Sequence, residues 1–222
     1  MTVRLGPRMS GRRLRQALGV AVVLLVAAAP VRAQSPDIKV RPFALVAEER
    51  LAAQTTFNAT LGSAAKAFAG GGVDVVVHRR YFVDFTVSRM STTGQRAFVS
   101  GGTAFPLGIP LRVSLTPIEV TAGYRFAPRW TRVVPYAGAG VGSYAYTESA
   151  DFAAAGDDVS VRHAGAVLTA GAEVRVARWM AVAVDVHYTR IPGVLGQGGV
   201  SKEVGEDNLG GLAGRVRVIL GK

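Results

Sequence analysis

The sequence predicts an all-β fold: an eight-stranded antiparallel up-and-down transmembrane β-barrel with short turns at one end and long loops at the other. Three observations predict it. The chain of 222 residues is 49% apolar and only 18% charged, with a mean hydropathy of +0.27, which is apolar for a chain of formal net charge +11. The apolar excess recurs with a period of two residues. The segments that show this period are joined by connections alternating between long and short.

The first element is an export signal. Residues 1–19 hold Arg4, Arg8, Arg12, Arg13 and Arg15 and no acid, and a 12-residue apolar run, Val20–Val31, follows. Val31 and Ala33 then place small residues at positions −3 and −1 of a cut after Ala33. The run is shorter than the roughly 20 residues a membrane helix needs. The expected division is therefore a signal peptide, 1–33, and a barrel domain, 34–222. With those five arginines and Arg32 removed, 20 basic residues face 15 acids, and the net charge falls from +11 to +5. A pI near 10.8 suggests a nucleic-acid or anionic-membrane partner at first sight, but most of that charge leaves with the leader, so no nucleic-acid partner is expected. The absence of cysteine excludes thiolate catalysis, cysteine-ligated zinc, iron–sulfur clusters and disulfides.

The strands follow in order. Segment 38–48 is strand-like with ambiguous facing. Val73, Val75 and Val77 oppose Asp74 and His78, and Tyr81, Val83, Phe85 and Val87 oppose Asp84, Thr86 and Ser88. Ile118, Val120, Ala122, Tyr124 and Phe126 oppose Glu119, Thr121, Gly123 and Arg125. Segment 133–147 is again strand-like and ambiguous. Val174 and Val176 oppose Glu173 and Arg175; Met180, Val182, Val184, Val186 and Tyr188 oppose Ala181, Ala183, Asp185, His187 and Thr189. Last, Leu212, Val216, Val218 and Leu220 oppose Arg215 and Arg217. Each alternation puts one set on each face of a strand.

The connections read long (52–70), short (Arg79-Arg80), long (91–111), short (127–132), long (148–162), short (Arg178-Trp179) and long (192–208). Short periplasmic turns alternating with long extracellular loops are the rhythm of an outer-membrane barrel. An even strand count also closes without a free edge. Tyr81, Tyr124, Trp130, Tyr136 and Trp179 lie by the short turns, and Tyr144, Tyr146 and Tyr188 toward the long loops, as two interfacial aromatic girdles would require.

The stretch Thr121–Tyr146, TAGYRFAPRWTRVVPYAGAGVGSYAY, resembles the small eight-stranded outer-membrane barrel family typified by the OmpA transmembrane domain and OmpX. With the signal peptide and strand rhythm, the resemblance covers the whole mature chain. It implies an outer-membrane location, a lipid environment and assembly by the barrel-assembly machinery. Members usually end on an aromatic that this machinery reads, whereas this sequence ends Leu220-Gly221-Lys222. The alternation Val216, Val218, Leu220 survives the departure.

The inward face would carry Asp74, His78, Asp84, Glu119, Arg125, Glu173, Arg175, Asp185, His187, Arg215 and Arg217. An eight-stranded interior is just wide enough for side chains or one small ligand, and buried charges must be paired. The expected result is an ion-pair lattice plugging the lumen; the alternative is a narrow pore or a carrier of small hydrophobic compounds. A third reading, a soluble periplasmic lipocalin-like binding barrel, would invert the facing. Asp185 and His187 resemble part of the catalytic apparatus of the omptin outer-membrane proteases, but no second acidic pair accompanies them, and a satisfied interior histidine is the reading preferred. No nucleophilic-hydrolase element is present, so no enzymatic activity, no catalytic residue and no cofactor are expected. The loop acids Asp151, Asp157, Asp158, Glu203, Glu206 and Asp207 match no calcium-loop spacing, and no metal is expected. Phe57, Phe68, Phe98, Phe105 and Phe152 fall in the long connections, where they either fold over the barrel mouth or offer an extracellular partner or hydrophobic ligand an apolar surface. A monomer is expected.

Overall fold

The computed structural model describes residues 38–100, 103–126, 132–150, 159–196 and 199–221. The expected signal peptide, Trp130, the acids Asp151, Asp157 and Asp158, and Phe152 lie outside the described residues. The strands are β1 (Ile38–Leu51), β2 (Ala65–Val77), β3 (Tyr81–Ser100), β4 (Thr103–Arg125), β5 (Val133–Ala150), β6 (Val159–Ala177), β7 (Met180–Arg190) and β8 (Gly211–Leu220). Helix α1 (Gln54–Leu61) joins β1 to β2, and the short helix α2 (Gly199–Val204) lies between β7 and β8.

Each strand pairs antiparallel with its chain neighbour, and β1 pairs with β8, so the sheet is a closed up-and-down barrel. Its stagger follows from the register. Ile38 pairs with Val77, and the line of partners continues through Tyr81, Tyr124, Ala137, Ala170, Val186 and Gly214 to Glu48. One circuit therefore climbs β1 from 38 to 48, ten residues, a shear consistent with strands tilted by about 35–45°.

Alternation sorts polarity between the faces. Val184 is 60% exposed on the outside and its neighbour Asp185 only 2% exposed inside. The soluble, lipocalin-like facing is thereby overturned: the valines point out and the charges in. On the register above, outward apolar residues run from Val40, Val174 and Leu220 up to Val46, Val87, Ile118, Val141 and Leu168. They form a belt about ten residues high, roughly 25 Å along the tilted strands.

The two ambiguous strands are now oriented. β1 turns Arg41, Phe43, Leu45, Glu49 and Leu51 inward. β5 turns Tyr136, Tyr144 and Tyr146 inward, all buried, which corrects their expected place in the aromatic girdles. Glycines make the room. A Cβ at Gly142 or at Gly165 of the neighbouring strand would meet the Tyr144 ring at 2.8 Å. Of the other girdle residues, Tyr81, Trp179 and Tyr188 are exposed on the outside, and Tyr124, also outward, stacks edge-on with Tyr81 and Phe126.

The long connections differ from expectation. Segment 91–111 is mostly strand: β3 and β4 continue as a hairpin, with Phe98 opposite Phe105 and a register irregularity between Gln95 and Ala97. Phe105, Leu107, Ile109 and Leu111 do alternate there, but Pro106, Gly108 and Pro110 stand between them, with Gly108 at positive φ, and such residues read as loop rather than strand. Segment 52–70 is α1 plus the start of β2, and it packs into an apolar cluster at the loop end. Phe57 and Leu61 of α1 and Phe68 of β2 pack with Leu51, Met90, Leu111, Val113, Leu115, Tyr144, Tyr146, Val167, Ile191 and Leu209. A second apolar cluster, including Phe43, Val76, Phe82, Tyr136 and Ile219, lies within the barrel.

Candidate functional site

Between the apolar cluster at the loop end and the short-turn end, the interior carries ionic layers interleaved with the second apolar cluster. At the short-turn end Arg41 of β1 bridges two strands. Its Nε donates to Asp74 Oδ2 at 3.0 Å and its Nη2 reaches the same oxygen, while Nη1 and Nη2 grip Glu173 Oε1 and Oε2 at 2.8 and 2.9 Å. Arg125 Nη1 adds a bond to Glu173 Oε2 at 2.7 Å and lies 3.9 Å from Asp74. The planar guanidinium fork suits such two-oxygen grips.

The next layer is centred on Asp185. Arg215 Nε donates to its Oδ1 at 2.6 Å, Tyr136 donates its hydroxyl to Oδ2 at 2.6 Å, and Arg217 Nε stands 3.1 Å from Oδ2. Arg217 Nη1 also donates to Asp84 Oδ2 at 2.7 Å, and its guanidinium lies over the rings of Phe43 and Tyr136 at 5.3 and 5.1 Å. Above it Glu119 accepts the Tyr144 hydroxyl at 2.8 Å, faces His187 Nε2 at 3.3 Å and lies 4.0 Å from Arg215. Highest is Glu49, which accepts from Thr189 Oγ1 at 3.0 Å.

The barrel thus brings together nine of the residues assigned to the lumen from sequence: Asp74, Asp84, Glu119, Arg125, Glu173, Asp185, His187, Arg215 and Arg217, all buried. Two do not join them. His78 is exposed in the β2–β3 turn, where it and Arg79 take positive φ of 51° and 63°; the strand has ended before it, so parity no longer applies. Arg175 is exposed at the short-turn rim, beside the irregularity at the β6–β7 turn. Sequence reasoning missed Arg41, Glu49, Thr169, Tyr136 and Tyr144. Arg41 and Glu49 share odd parity on β1, a signal hidden because both faces of that strand are apolar.

Chemically the arrangement is a lattice of paired charges. Asp185 and His187 do not bond each other; each is engaged elsewhere, so the hydrolytic dyad they resemble is not assembled. Cavities of about 10 Å³, beside Asp74, Asp84 and Arg217, and about 20 Å³, beside Glu49, Glu119 and His187, have room for a water or two. Among the described residues no cluster of three or more His, Cys, Asp or Glu could hold a metal ion. Glu206 is occupied as the cap of α1: it accepts from the N–H groups of Thr55 and Thr56 at 2.9 and 2.8 Å and from Thr56 Oγ1 at 2.7 Å.

No family model matches the sequence, and no curated protein does. Among solved structures, the chain is similar to the N-terminal β-barrel domain of Pseudomonas aeruginosa OprF at 12% identity, with 84% of this chain and 100% of that one covered and a TM-score of 0.47. It is similar to Ail, the attachment invasion locus protein of Yersinia pestis, solved with the heparin analogue sucrose octasulfate, at 11% identity, 82% and 96% coverage and a TM-score of 0.47. The Neisserial surface protein A matches at 17% identity, with 82% and 96% coverage and a TM-score of 0.47.

Proposed function

We propose that this chain is a non-enzymatic outer-membrane β-barrel, exported by its leader and inserted as a monomer by the barrel-assembly machinery, with a structural or surface-interaction role and a plugged lumen. The observation that carries the reading is the inversion of polarity. Valine, leucine and phenylalanine side chains stay exposed on the outer face while aspartate, glutamate and arginine are buried inside. In water that arrangement would expose an apolar patch far larger than a soluble monomer tolerates. In a bilayer it places a belt of roughly 25 Å against lipid, the height typical of such barrels. The closed sheet leaves no edge for lipid to desolvate.

The plugged lumen rests on the two successive seals, the ion-pair lattice and the apolar cluster above it. Expression followed by fractionation tests the location: recovery in the membrane fraction with heat-modifiable gel migration is expected, and recovery in the soluble periplasm would refute it. Refolded protein in a planar bilayer tests the plug. A silent bilayer is expected; discrete conductance steps would replace the plugged barrel with a narrow pore.

A further inference from the structure

At the short-turn end the exposed cations Arg79, Arg80, Arg132 and Arg178 sit in or beside the turns and Arg175 at the rim, whereas charge on the outward-facing positions of the strands gathers at the loop end. Among the described strand residues, the charged side chains of the outer face are Glu48 and Arg50 on β1, Arg89 on β3, Arg112 on β4, Arg162 on β6 and Arg190 on β7. All are exposed, and all lie at or beyond the loop-side margin of the apolar belt. Five guanidiniums accompany one carboxylate. The lattice arginines inside are paired with acids, but among the described residues no side-chain hydrogen bond or ion pair engages these five.

Arg50 and Arg190 flank β8. Leu212 pairs with Arg50 on one side and with Tyr188, two residues before Arg190, on the other. The two arginines therefore stand two strand spacings across and two residues along from each other, about 12 Å between their backbones, a gap that two long side chains can close around one anionic group. Below them β8 is bare: Gly214 sits between Glu48 and Val186, and a Cβ added there would meet nothing within 4 Å. Leu212 above and Val216 below extend the strip as an apolar track running down into the belt. A fork of N–H donors above an apolar track matches a phosphate headgroup above an acyl chain. Glu48, beside the track and nearer the belt, repels a phosphate that sinks past the arginines and so keeps the headgroup at the rim.

We propose that this β8 rim, Arg50 and Arg190 with the Gly214 track, binds a phosphate-bearing lipid of the loop-side leaflet. The proposal rests on the membrane reading above. The test is a titration of short-chain phosphatidic acid into the refolded full chain in dodecyl maltoside micelles, followed by NMR. Shifts are expected at the Nε–H groups of Arg50 and Arg190 and at the Gly214 amide. Arg50→Gln or Arg190→Gln weakens the affinity about fivefold, and the double variant roughly thirtyfold, whereas Arg80→Gln at the opposite rim leaves it unchanged. With dispersed amides showing an intact barrel, absent shifts, shifts spread evenly over both rims, or an affinity unaltered in the double variant overturn the proposal alone. A chain that gives no dispersed amides in the micelle overturns the membrane reading, and this proposal with it.

Discussion

Asp74 and Asp84 stand directly opposite each other across β2 and β3, both turned inward, and each is answered by an arginine from a different end of the barrel sequence. Arg41 of β1 holds Asp74, and Arg217 of β8 holds Asp84. Like charges facing across a sheet repel. The repulsion is offset only when the first and last strands have both joined the sheet, so the lattice rewards closure of the barrel.

The first prediction concerns that coupling. Arg217→Gln leaves Asp84 beside Asp74 without its counter-charge, and removing one partner of a buried pair costs about 3–5 kcal/mol. Adding Asp84→Asn should return about 1–3 kcal/mol of the loss, because neighbours in one network do not add independently. Urea unfolding in micelles, read by gel migration, measures both. Strictly additive losses would separate the two residues energetically.

The second concerns the cap on α1. Partial burial pushes the Glu206 carboxyl up, but the Thr56 and Thr55 donors outweigh it and hold it below its ordinary value of 4.5. A depressed carboxyl stabilises the fold above its ordinary value, and the contribution fades as pH falls through the lower folded value. Amide exchange at Phe57, whose N–H bonds Ala53 C=O, should therefore accelerate only below about pH 4.5. Glu206→Ala should raise exchange at neutral pH by the loss of a cap, about 1 kcal/mol, and abolish the acid step.

The third contrasts two glycines of opposite facing. Gly142→Ala drives a methyl into the Tyr144 ring, 2.8 Å away, and should cost about 1–3 kcal/mol as an overpacked site. Gly214→Ala meets nothing and should be neutral or stabilising by about 0.5–1 kcal/mol, since glycine is costly in a strand. Equal losses at both positions would mean that the rings do not constrain β5.

What was legible in the sequence follows from contrast between faces. β3, β4, β7 and β8 set valine against acid or arginine, so their facing could be read from parity alone. In β1 the inward Phe43 and Leu45 match the outward Val40 and Val46 in polarity, and only the shared parity of Arg41 and Glu49 marks the lumen side. In β5 the inward glycines Gly138, Gly140 and Gly142 have no side chain to read, and tyrosine suits a lipid interface as well as a polar interior. Their parity with Tyr136 and Tyr144 was the available clue. Helix α1 was not legible, because its N-terminal amides are capped by Glu206, which lies 150 residues further along the chain from Thr56.

The last prediction separates the two levels of the proposed plug. Phe57 is buried in the cluster above the lattice, and Phe57→Ser removes its packing at a cost of about 3–5 kcal/mol. The ionic layers beneath remain, so on the plugged-lumen proposal the bilayer should stay silent. Replacing Arg215 and Asp185 together by alanine opens the middle layer without stranding either charge on its main partner, and with Phe57 intact this variant should also be silent. Only the combination removes side chains from both levels, and it alone should give small conductance steps. Conductance from Phe57→Ser by itself would show that the ion pairs yield to the field, leaving the apolar cluster as the sole barrier.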